Sequence, residues 1–451
     1  MKISFLDDEP EIFPLQYGGK ARTIINLAKQ FSMFPEIEKV SILSKSIRSS
    51  SANFVWKGIN FQKLEDYNLI RKILDEASSC DVLNVHACSF TMPYLRGFDA
   101  AITYHLHDVI FSTTDAGSHL DKAMGNNWSA IISPSDFASK TLENLCWWND
   151  LKSRILTVPR GIDFDCFYPR KKEEALDEIG QLNQCIAKKI CNSYPIIFFP
   201  HRYNANKGEE FLTELYDLLK NRYPNLLVLA TSEDKNDLKG IESINWIPTE
   251  YMKNFYSVSD VSVVSSKSPE AFSQVPLESI VCGTPVLAFK FGNLANLIDE
   301  VPSIKSSKPE IKNMCDVIYS IIEDKDKCGE ELVESQRLIK EKYNISGVAK
   351  DLIKLFEKIP RNKEVSLPFQ VKNTINEEKR YSISPLIAIY ENEVFVPNKK
   401  GYTEKYHLAN GELDLVSFCN KVVPYSSLYQ KFGVNKISLE ILLNKGILIE
   451  C

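Results

Sequence analysis

Short apolar runs alternate with amphipathic stretches along the first 360 residues of the chain. Residues 207–221 typify the amphipathic kind, because Phe211, Leu215 and Leu219 fall on one helical face. This alternation of strands and helices predicts parallel sheets covered by helices on both faces. The apolar runs predict two series of strands: residues 3–6, 40–43, 82–85, 101–106, 130–133 and 155–158, and then residues 196–199, 226–229, 244–247, 261–264 and 285–289.

Polar segments divide the chain into predicted domains. Residues 171–193 are polar and weakly periodic, and we interpret them as the passage between the two strand series. The pattern predicts one doubly wound domain over residues 1–170 and a second over residues 171–360. Helical patterns at 311–322, 330–343 and 348–357 close the second domain. The polar residues 361–380 predict a linker.

The chain ends in a predicted small α+β domain over residues 381–451. Strand patterns at 386–390 and 393–396 come first, helical patterns at 411–420, 425–432 and 437–445 follow, and a short apolar run at 447–449 comes last. Two strands, then helices, the last of which ends at Gly446 before the apolar run, is a winged-helix-like order.

Charge and composition exclude several classes of protein. A net charge of −5 gives no bulk argument for binding nucleic acid or an anionic membrane. No apolar run approaches the about 20 residues that a membrane helix needs, and the first residues do not resemble a signal peptide. The eleven scattered cysteines predict reduced thiols in the cytoplasm and no disulfide framework. The six histidines do not cluster as metal ligands, so no metal site is predicted.

Two loops at predicted strand ends have features of anion-binding sites. Gly18 and Gly19 open a helix after the first strand, and paired glycines let backbone amides approach an anion closely. Arg202 and Lys207 flank a loop that begins a helix after the first strand of the second series. Two cations beside a helix N-terminus form a diphosphate site that needs no metal. A permissive turn and a solvated basic pair are the alternatives.

Two glutamates, Glu270 and Glu278, follow the predicted strand at 261–264. Ligands of doubly wound folds bind at the carboxyl ends of the strands, where Glu270 falls. Proline favours a first helical turn, so a helix beginning at Pro276 places Glu278 in that turn. One carboxylate could then bind the hydroxyls of a sugar and the other those of a ribose, with phosphate on the amides of residues 271–275. For Glu278, an acidic residue favoured by the helix dipole is the alternative.

These features, taken in this order, resemble the retaining family 4 of GT-B glycosyltransferases over residues 1–358. The matched motifs are the Gly18–Gly19 loop, residues 104–108 with His107 as the motif histidine, residues 134–140, residues 159–169, residues 202–208, the Glu270–Glu278 pair and the Cys-Gly-Thr-Pro-Val run at 282–286. The resemblance implies an α/β GT-B fold in which two doubly wound Rossmann-like domains face each other across a cleft. It also implies a hexosyltransferase that uses a nucleotide-diphosphate sugar, retains the anomeric configuration and requires no metal or other cofactor.

The resemblance also implies a role for each matched residue. Arg202 and Lys207 would hold the donor diphosphate and stabilise charge on the leaving group. Glu270 would contact the transferred sugar. The remaining donor contacts would come from Glu278 to the ribose, from the amides of Phe272, Ser273 and Gln274 to the phosphates or sugar, and from His107 and the Gly18–Gly19 loop of the first domain. A buried structural histidine is the alternative for His107.

Three positions depart from the family pattern. His201, Ala271 and Ser273 stand where the family usually has glycine, and each adds side-chain atoms near the expected sugar site. These replacements leave open a second hypothesis, a catalytically weak protein that binds a nucleotide sugar or a peptide.

The final domain is weakly similar to PqqD-like winged-helix domains, which recognise peptides. This similarity implies a peptide or protein acceptor, taken up through a sheet edge. A generic winged helix, an oligomerisation module, and a glycolipid, polysaccharide or small-molecule acceptor are the alternatives. DNA is not an expected partner, because the domain lacks a basic recognition-helix pattern.

Overall fold

The computed structural model describes most of the chain as two compact units. The described residues are 1–7, 19–45, 47, 53–66, 68–86, 95, 97–107, 128–144, 153–202, 205–231, 240–244, 247–362, 380–384, 387–397, 403–433 and 436–450. One unit contains Met1–Gly161 and Tyr343–Glu377, and the other contains Ile162–Lys342 and Glu378–Cys451. None of the helices within these ranges is long and apolar enough to cross a membrane.

The first unit is built on an eight-stranded sheet with the order β3-β4-β2-β1-β5-β6-β7-β8. All neighbouring strands are parallel except the β3–β4 pair at one edge. The strands are β1 (Lys2–Asp7), β2 (Lys39–Ser44), β3 (Asn53–Trp56), β4 (Ile59–Lys63), β5 (Val82–Val85), β6 (Ala101–His105), β7 (Ala130–Ser133) and β8 (Ile155–Thr157). The described helices are α1 (Gly19–Phe31), α2 (Leu69–Ser79), α3 (Asp136–Asn144) and α12 (Ile345–Phe356).

Burial explains which strands of this unit could be predicted from the sequence. Strands β5 and β7 are buried along their whole length, as parallel strands covered on both faces are, and they therefore read as apolar runs. The edge strand β3 exposes alternate residues, and β4 carries polar ones. Neither was predicted, because neither forms a continuous apolar run.

Helix α12 belongs to the first unit, although the sequence pattern placed it at the end of the second domain. Its face of Ile345, Val348 and Leu352 is buried in the core that contains the apolar face of α1. Arg361 and Asn362, the first residues of the predicted linker, also bind this unit, through the carbonyl oxygens of Asp81 and Ala100. The chain therefore returns to its first unit after completing the second sheet.

The second unit is built on a six-stranded, wholly parallel sheet with the order β11-β10-β9-β12-β13-β14. Its strands are β9 (Ile196–Arg202), β10 (Leu227–Thr231), β11 (Ile241–Ile244), β12 (Val261–Val264), β13 (Val286–Ala288) and β14 (Ile304–Ser306). Its helices are α4 (Lys172–Leu182), α5 (Gln184–Cys191), α6 (Glu210–Arg222), α7 (Thr249–Val258), α8 (Gln274–Val281), α9 (Asn293–Glu300), α10 (Ile311–Glu323) and α11 (Lys325–Lys342). The strand order reverses between β9 and β12, as in other doubly wound sheets, which confirms the predicted Rossmann-like architecture.

The structure differs from the sequence prediction at four elements of this unit. The polar residues 171–193 form α4 and α5, and α4 buries only Ala175 and Ile179, which explains its weak periodicity. Strand β11 lies three residues before the predicted position of 244–247. Strand β14 was not predicted, because only its first residue is fully buried.

The final segment adds two small antiparallel sheets to the second unit, with the orders β19-β15-β20 and β16-β17-β18. Its elements are β15 (Arg380–Ile383), β16 (Ala388–Tyr390), β17 (Glu393–Pro397), β18 (Thr403–His407), α13 (Asn410–Phe418), β19 (Val423–Pro424), α14 (Tyr425–Phe432), α15 (Lys436–Asn444) and β20 (Leu448–Glu450). The predicted helices and the strands near 386–396 are present, and the apolar run at 447–449 overlaps β20, which was not predicted as a strand. Strands β15, β18 and β19 had no clear sequence signal.

The central strand β17 is shared between two hydrophobic cores. Val394 and Val396 on one face pack in the core of the final segment. Phe395 on the other face, together with Ala388 of β16, packs in the core beneath the six-stranded sheet. Successive strand residues point to opposite faces, so a single strand joins both cores. The final segment is therefore packed into the second unit.

Candidate active site

The candidate site of the second unit lies where β9 and β12 end side by side. These strands flank the reversal of strand order, where the loops diverge and leave a crevice. Strand β9 ends at His201 and Arg202, and a short 3₁₀ turn, Ala205–Lys207, leads from it toward α6. The loop after β12 contains Glu270 and leads to α8. The topology thus brings together residues about 60 positions apart in sequence.

Lys207 and Glu270 form the centre of this site. The Lys207 ammonium donates to Glu270 Oε1 at 2.5 Å and to Ser266 Oγ at 3.0 Å. The Ser266 hydroxyl donates to the same carboxylate oxygen at 2.5 Å. The side chains of Lys207 and Glu270 keep 27% and 17% of their surface exposed, so both are accessible to a ligand.

Charge in the site is set by this ion pair. Burial alone would raise the pKa of Glu270, but the Lys207 ammonium, His201 and the hydrogen bonds from Lys207 and Ser266 together bring that pKa to about 2. Burial lowers the pKa of His201 to about 3, and the Lys207 cation adds to this effect. At neutral pH the site therefore holds a carboxylate, an ammonium and a neutral imidazole.

The loop that carries Lys207 is held against the end of β12. The Ser265 hydroxyl donates to the Lys207 carbonyl oxygen at 2.7 Å, and the Lys267 amide donates to the Asn206 carbonyl oxygen at 2.9 Å. Gly208 has a φ of +77°, and a Cβ at this position would lie 2.8 Å from the Ser265 carbonyl oxygen. Only glycine allows this approach without strain.

Helix α8 begins at Gln274, two residues before the position predicted from Pro276. The proline lies inside the first turn, where amides have no helical acceptor and a missing N–H costs little. Phe272, Ser273 and Gln274 are buried around the start of the helix, which directs its positive end toward the site. The Ser273 hydroxyl is buried and has no hydrogen-bond partner among the described residues.

Glu278 lies in the second turn of α8, not in the first as predicted. It is only 1% exposed, and the Tyr256 hydroxyl donates to its Oε2 at 3.3 Å. An acidic residue placed for the helix dipole alone would normally be solvated at the first turn. The structure therefore holds Glu278 as a buried polar group on the helix that opens the site.

The Arg202 side chain lies outside the described residues, and only its backbone at the end of β9 is defined. Gly18 in the first unit is likewise outside them. Gly19 is the first residue of α1, followed by Lys20, whose ammonium lies 3.2 Å from a carboxylate oxygen of the buried Asp7.

His107 of the first unit belongs to a cluster of three imidazoles. Its Nε2 lies 2.7 Å from His86 Nδ1, and its Nδ1 lies 2.8 Å from a terminal nitrogen of Arg160. The His105 ring stacks on His86 at 4.6 Å between centroids. Burial lowers the pKa of His107 well below its ordinary value, and the Arg160 guanidinium lowers it further.

These contacts determine the protonation of the two bonded rings. A guanidinium can only donate, so His107 Nδ1 accepts and its proton is on Nε2. That proton is donated to His86 Nδ1, which leaves the His86 proton on Nε2. Sequence reasoning did not single out His86 or Arg160, although both follow predicted strands and could have been examined for that reason.

Among the described residues, no group of three or more His, Cys, Asp or Glu side chains is placed to hold a metal ion. The eight cysteines within the described ranges are all free thiols.

Residues 186–340 match the family model described as "Glycosyl transferases group 1". Among curated proteins, the chain is 19% identical to spore coat protein SA of Bacillus subtilis, over 79% of this chain and all of that protein. It is also 31% identical to phosphatidyl-myo-inositol mannosyltransferase of Propionibacterium freudenreichii, but over only 24% of this chain and 28% of that protein.

Solved structures resemble most of the chain. Sucrose-phosphate synthase from Thermosynechococcus elongatus matches with a TM-score of 0.62 at 15% identity, over 79% of this chain and 98% of its own. Anabaena Alr3699/HepE, solved in complex with UDP-glucose, matches with a TM-score of 0.62 at 16% identity, over 79% of this chain and 100% of its own. The chain therefore has the two-domain Rossmann-like GT-B fold, and the matched segment supports a glycosyltransferase.

Proposed function

We propose that the protein is a retaining hexosyltransferase that uses a nucleotide-diphosphate sugar. The observation that supports this proposal most directly is the Lys207–Glu270 pair at the strand crossover, beside the start of α8. An ammonium, a carboxylate and a helix N-terminus at one edge of a sheet suit a ligand with both phosphates and sugar hydroxyls.

In this proposal the sugar moves from the donor phosphate to an acceptor hydroxyl. The bond from the anomeric carbon to the β-phosphate oxygen breaks, a bond to the acceptor oxygen forms on the same face, and the acceptor proton passes to the diphosphate. Lys207 and Arg202 stabilise the negative charge that develops on the leaving group. This reaction needs cations at the phosphate more than a strong base, and no metal is part of the proposal.

The remaining matched residues bind parts of the donor. Glu270 contacts the transferred sugar, and Glu278 binds the ribose. The amides of Phe272, Ser273 and Gln274 bind the phosphates or the sugar through the positive end of α8. From the first unit, Gly18, Gly19 and His107 are assigned to the donor as well.

A donor screen tests this proposal. We expect one nucleotide series among UDP-, GDP-, ADP- and TDP-sugars to raise the melting temperature of the purified protein, because only the native state binds the donor. Slow hydrolysis of the same donor should be lost in Glu270→Ala, while the matching nucleoside diphosphate still binds. If the wild-type protein binds no nucleotide sugar, the proposal is contradicted.

A catalytically weak binding protein remains the second candidate function. The observation that favours it is the buried His201, whose imidazole replaces a glycine beside Lys207 and Glu270 and has no partner at Nε2 among the described residues. Donor binding without any Glu270-dependent turnover would support this second candidate, whereas turnover that Glu270→Ala abolishes would exclude it.

We further propose that the acceptor is a peptide or protein and that the reaction takes place in the cytoplasm. The support for such an acceptor is the final segment, which has its own core and two three-stranded sheets. Within the described residues the outer strands β18 and β20 each have one neighbour, so either could take up an extended peptide. A lipid-linked acceptor is the alternative, in line with the name of the mannosyltransferase relative.

Hydrogen exchange can locate the acceptor. We expect a peptide that the protein glycosylates, sought first among peptides encoded beside its gene, to slow amide exchange in β18 or β20. A peptide of the same composition in scrambled order is the control and should protect neither strand. Turnover with lipid or oligosaccharide acceptors, and with no peptide tested, would favour the alternative.

A further inference from the structure

Tyr390 of β16 connects the final segment to the carboxyl edge of the six-stranded sheet. Its hydroxyl accepts a hydrogen bond from the Lys290 amide at 2.6 Å and donates one to the Ser307 carbonyl oxygen at 2.6 Å. Lys290 and Ser307 follow the ends of β13 and β14, which are neighbours in the sheet. Burial raises the pKa of Tyr390, so the hydroxyl keeps its proton at neutral pH.

The segment that begins at Lys290 holds the backbone of Glu270. Gly292 forms a parallel bridge with Glu270, and the Asn293 amide donates to the Glu270 carbonyl oxygen at 3.0 Å. Gly292 has a φ of +60°, and a Cβ there would lie 2.6 Å from the Glu270 amide nitrogen. The Glu270 backbone is therefore fixed by residues that begin two positions after Lys290.

The strand that carries Tyr390 is itself anchored. Ala388 and Phe395 are buried in the same core as Phe289 and Phe291, which flank Lys290. The Lys308 ammonium lies 2.5 Å from the Glu393 carboxylate, which ties β17 to the loop after β14. The Tyr390 ring also packs edge-on against Phe395 at 5.6 Å between centroids.

We propose that Tyr390 is a positioning residue for Glu270. By holding the Lys290 amide and the Ser307 carbonyl, it fixes the 290–293 segment. That segment in turn fixes the backbone position of Glu270 at the carboxyl edge of the sheet. This inference rests on the proposed function, in which Glu270 contacts the donor sugar. The final segment then supports the donor site as well as any acceptor.

The first part of the test needs no donor. In Tyr390→Phe, we expect the Lys290 amide to exchange roughly tenfold faster and the Asn293 amide to lose protection with it, because the hydroxyl that accepts from Lys290 is gone. Tyr406→Phe is the matched control, since Tyr406 lies on β18 of the same sheet and its hydroxyl donates to the exposed Glu404. Unchanged exchange at both amides in Tyr390→Phe would overturn the proposal.

The second part compares two ligands that share a nucleotide. Tyr390→Phe should weaken binding of the nucleotide sugar several-fold more than binding of the matching nucleoside diphosphate, because only the sugar reaches Glu270. An equal effect on both ligands would show general loosening of the unit and would overturn the positioning role. If the wild-type protein binds no nucleotide sugar, the proposed function fails, and the exchange of Lys290 and Asn293 still decides whether Tyr390 holds this segment.

Discussion

Replacing Lys207 with alanine is expected to weaken nucleoside diphosphate binding by roughly 10- to 100-fold, which is the loss of one charged hydrogen bond worth about 1.5–3 kcal/mol. Turnover should fall with it, because in the proposed reaction the same ammonium stabilises the leaving group. Isothermal titration with UDP, GDP, ADP and TDP measures the first effect, and donor hydrolysis measures the second. Arg202→Ala, at the end of β9, is expected to show the same losses.

Lys220→Ala is a suitable control for Lys207→Ala. It removes an equal charge from the far end of α6, where the ammonium donates only to the Leu226 carbonyl oxygen among the described residues, at 3.4 Å. Diphosphate affinity should stay at the wild-type value in this variant. Wild-type affinity in both Lys207→Ala and Arg202→Ala would refute the diphosphate assignment.

The pH dependence of the stability of Lys207→Ala follows from the Lys207–Glu270 ion pair. The folded-state pKa of Glu270 is about 2, below its usual value of 4.5, so the pair contributes stability above about pH 4.5 and loses it as the pH falls toward 2. In Lys207→Ala the partly buried carboxylate loses its partner, and its pKa should rise. The difference in unfolding free energy between wild type and variant should therefore shrink as the solution is acidified from pH 5.

Much of the fold could be predicted because parallel strands covered on both faces are apolar throughout. Strands β5, β7 and β12 are such runs, and their ends mark the edge where ligands bind. The edge strand β3 and the short β14 carry no such run. Helix α12 was correctly predicted as a helix, but nothing in its own residues shows that its apolar face fits α1 of the first unit.

The site could be predicted as a set of residues but not as an arrangement. The order of motifs selected Lys207, Glu270 and Glu278, yet the direct contact of Lys207 with Glu270 depends on how two loops meet. Helix α8 begins before its predicted start because proline is tolerated throughout a first turn, not only at its first position. Tyr390 was not found, because it is 100 residues from Lys290 in sequence and a hydroxyl bonded to backbone leaves no pattern.

Replacing Phe395 with alanine is expected to destabilise the second unit by about 3–5 kcal/mol, the usual cost of removing a buried phenylalanine side chain. Phe395 is 2% exposed and lies in the core with Leu287 and Phe289. A loss of this size is a large fraction of the stability of a typical domain. Denaturant unfolding measures the total, and hydrogen exchange in β13 shows where the stability is lost.

Val394→Ala separates packing of the second unit from packing of the final segment. Val394 neighbours Phe395 on β17, but its side chain is buried on the opposite face among the final helices. Its removal should speed exchange in α13 and α14 and leave β13 protected. If Phe395→Ala also left β13 protected, the final segment would fold as an independent module, and its deletion would be a clean test of acceptor recognition. If β13 loses protection as expected, deleting the segment opens the core beneath the proposed donor site, and acceptor recognition is better tested with the segment in place.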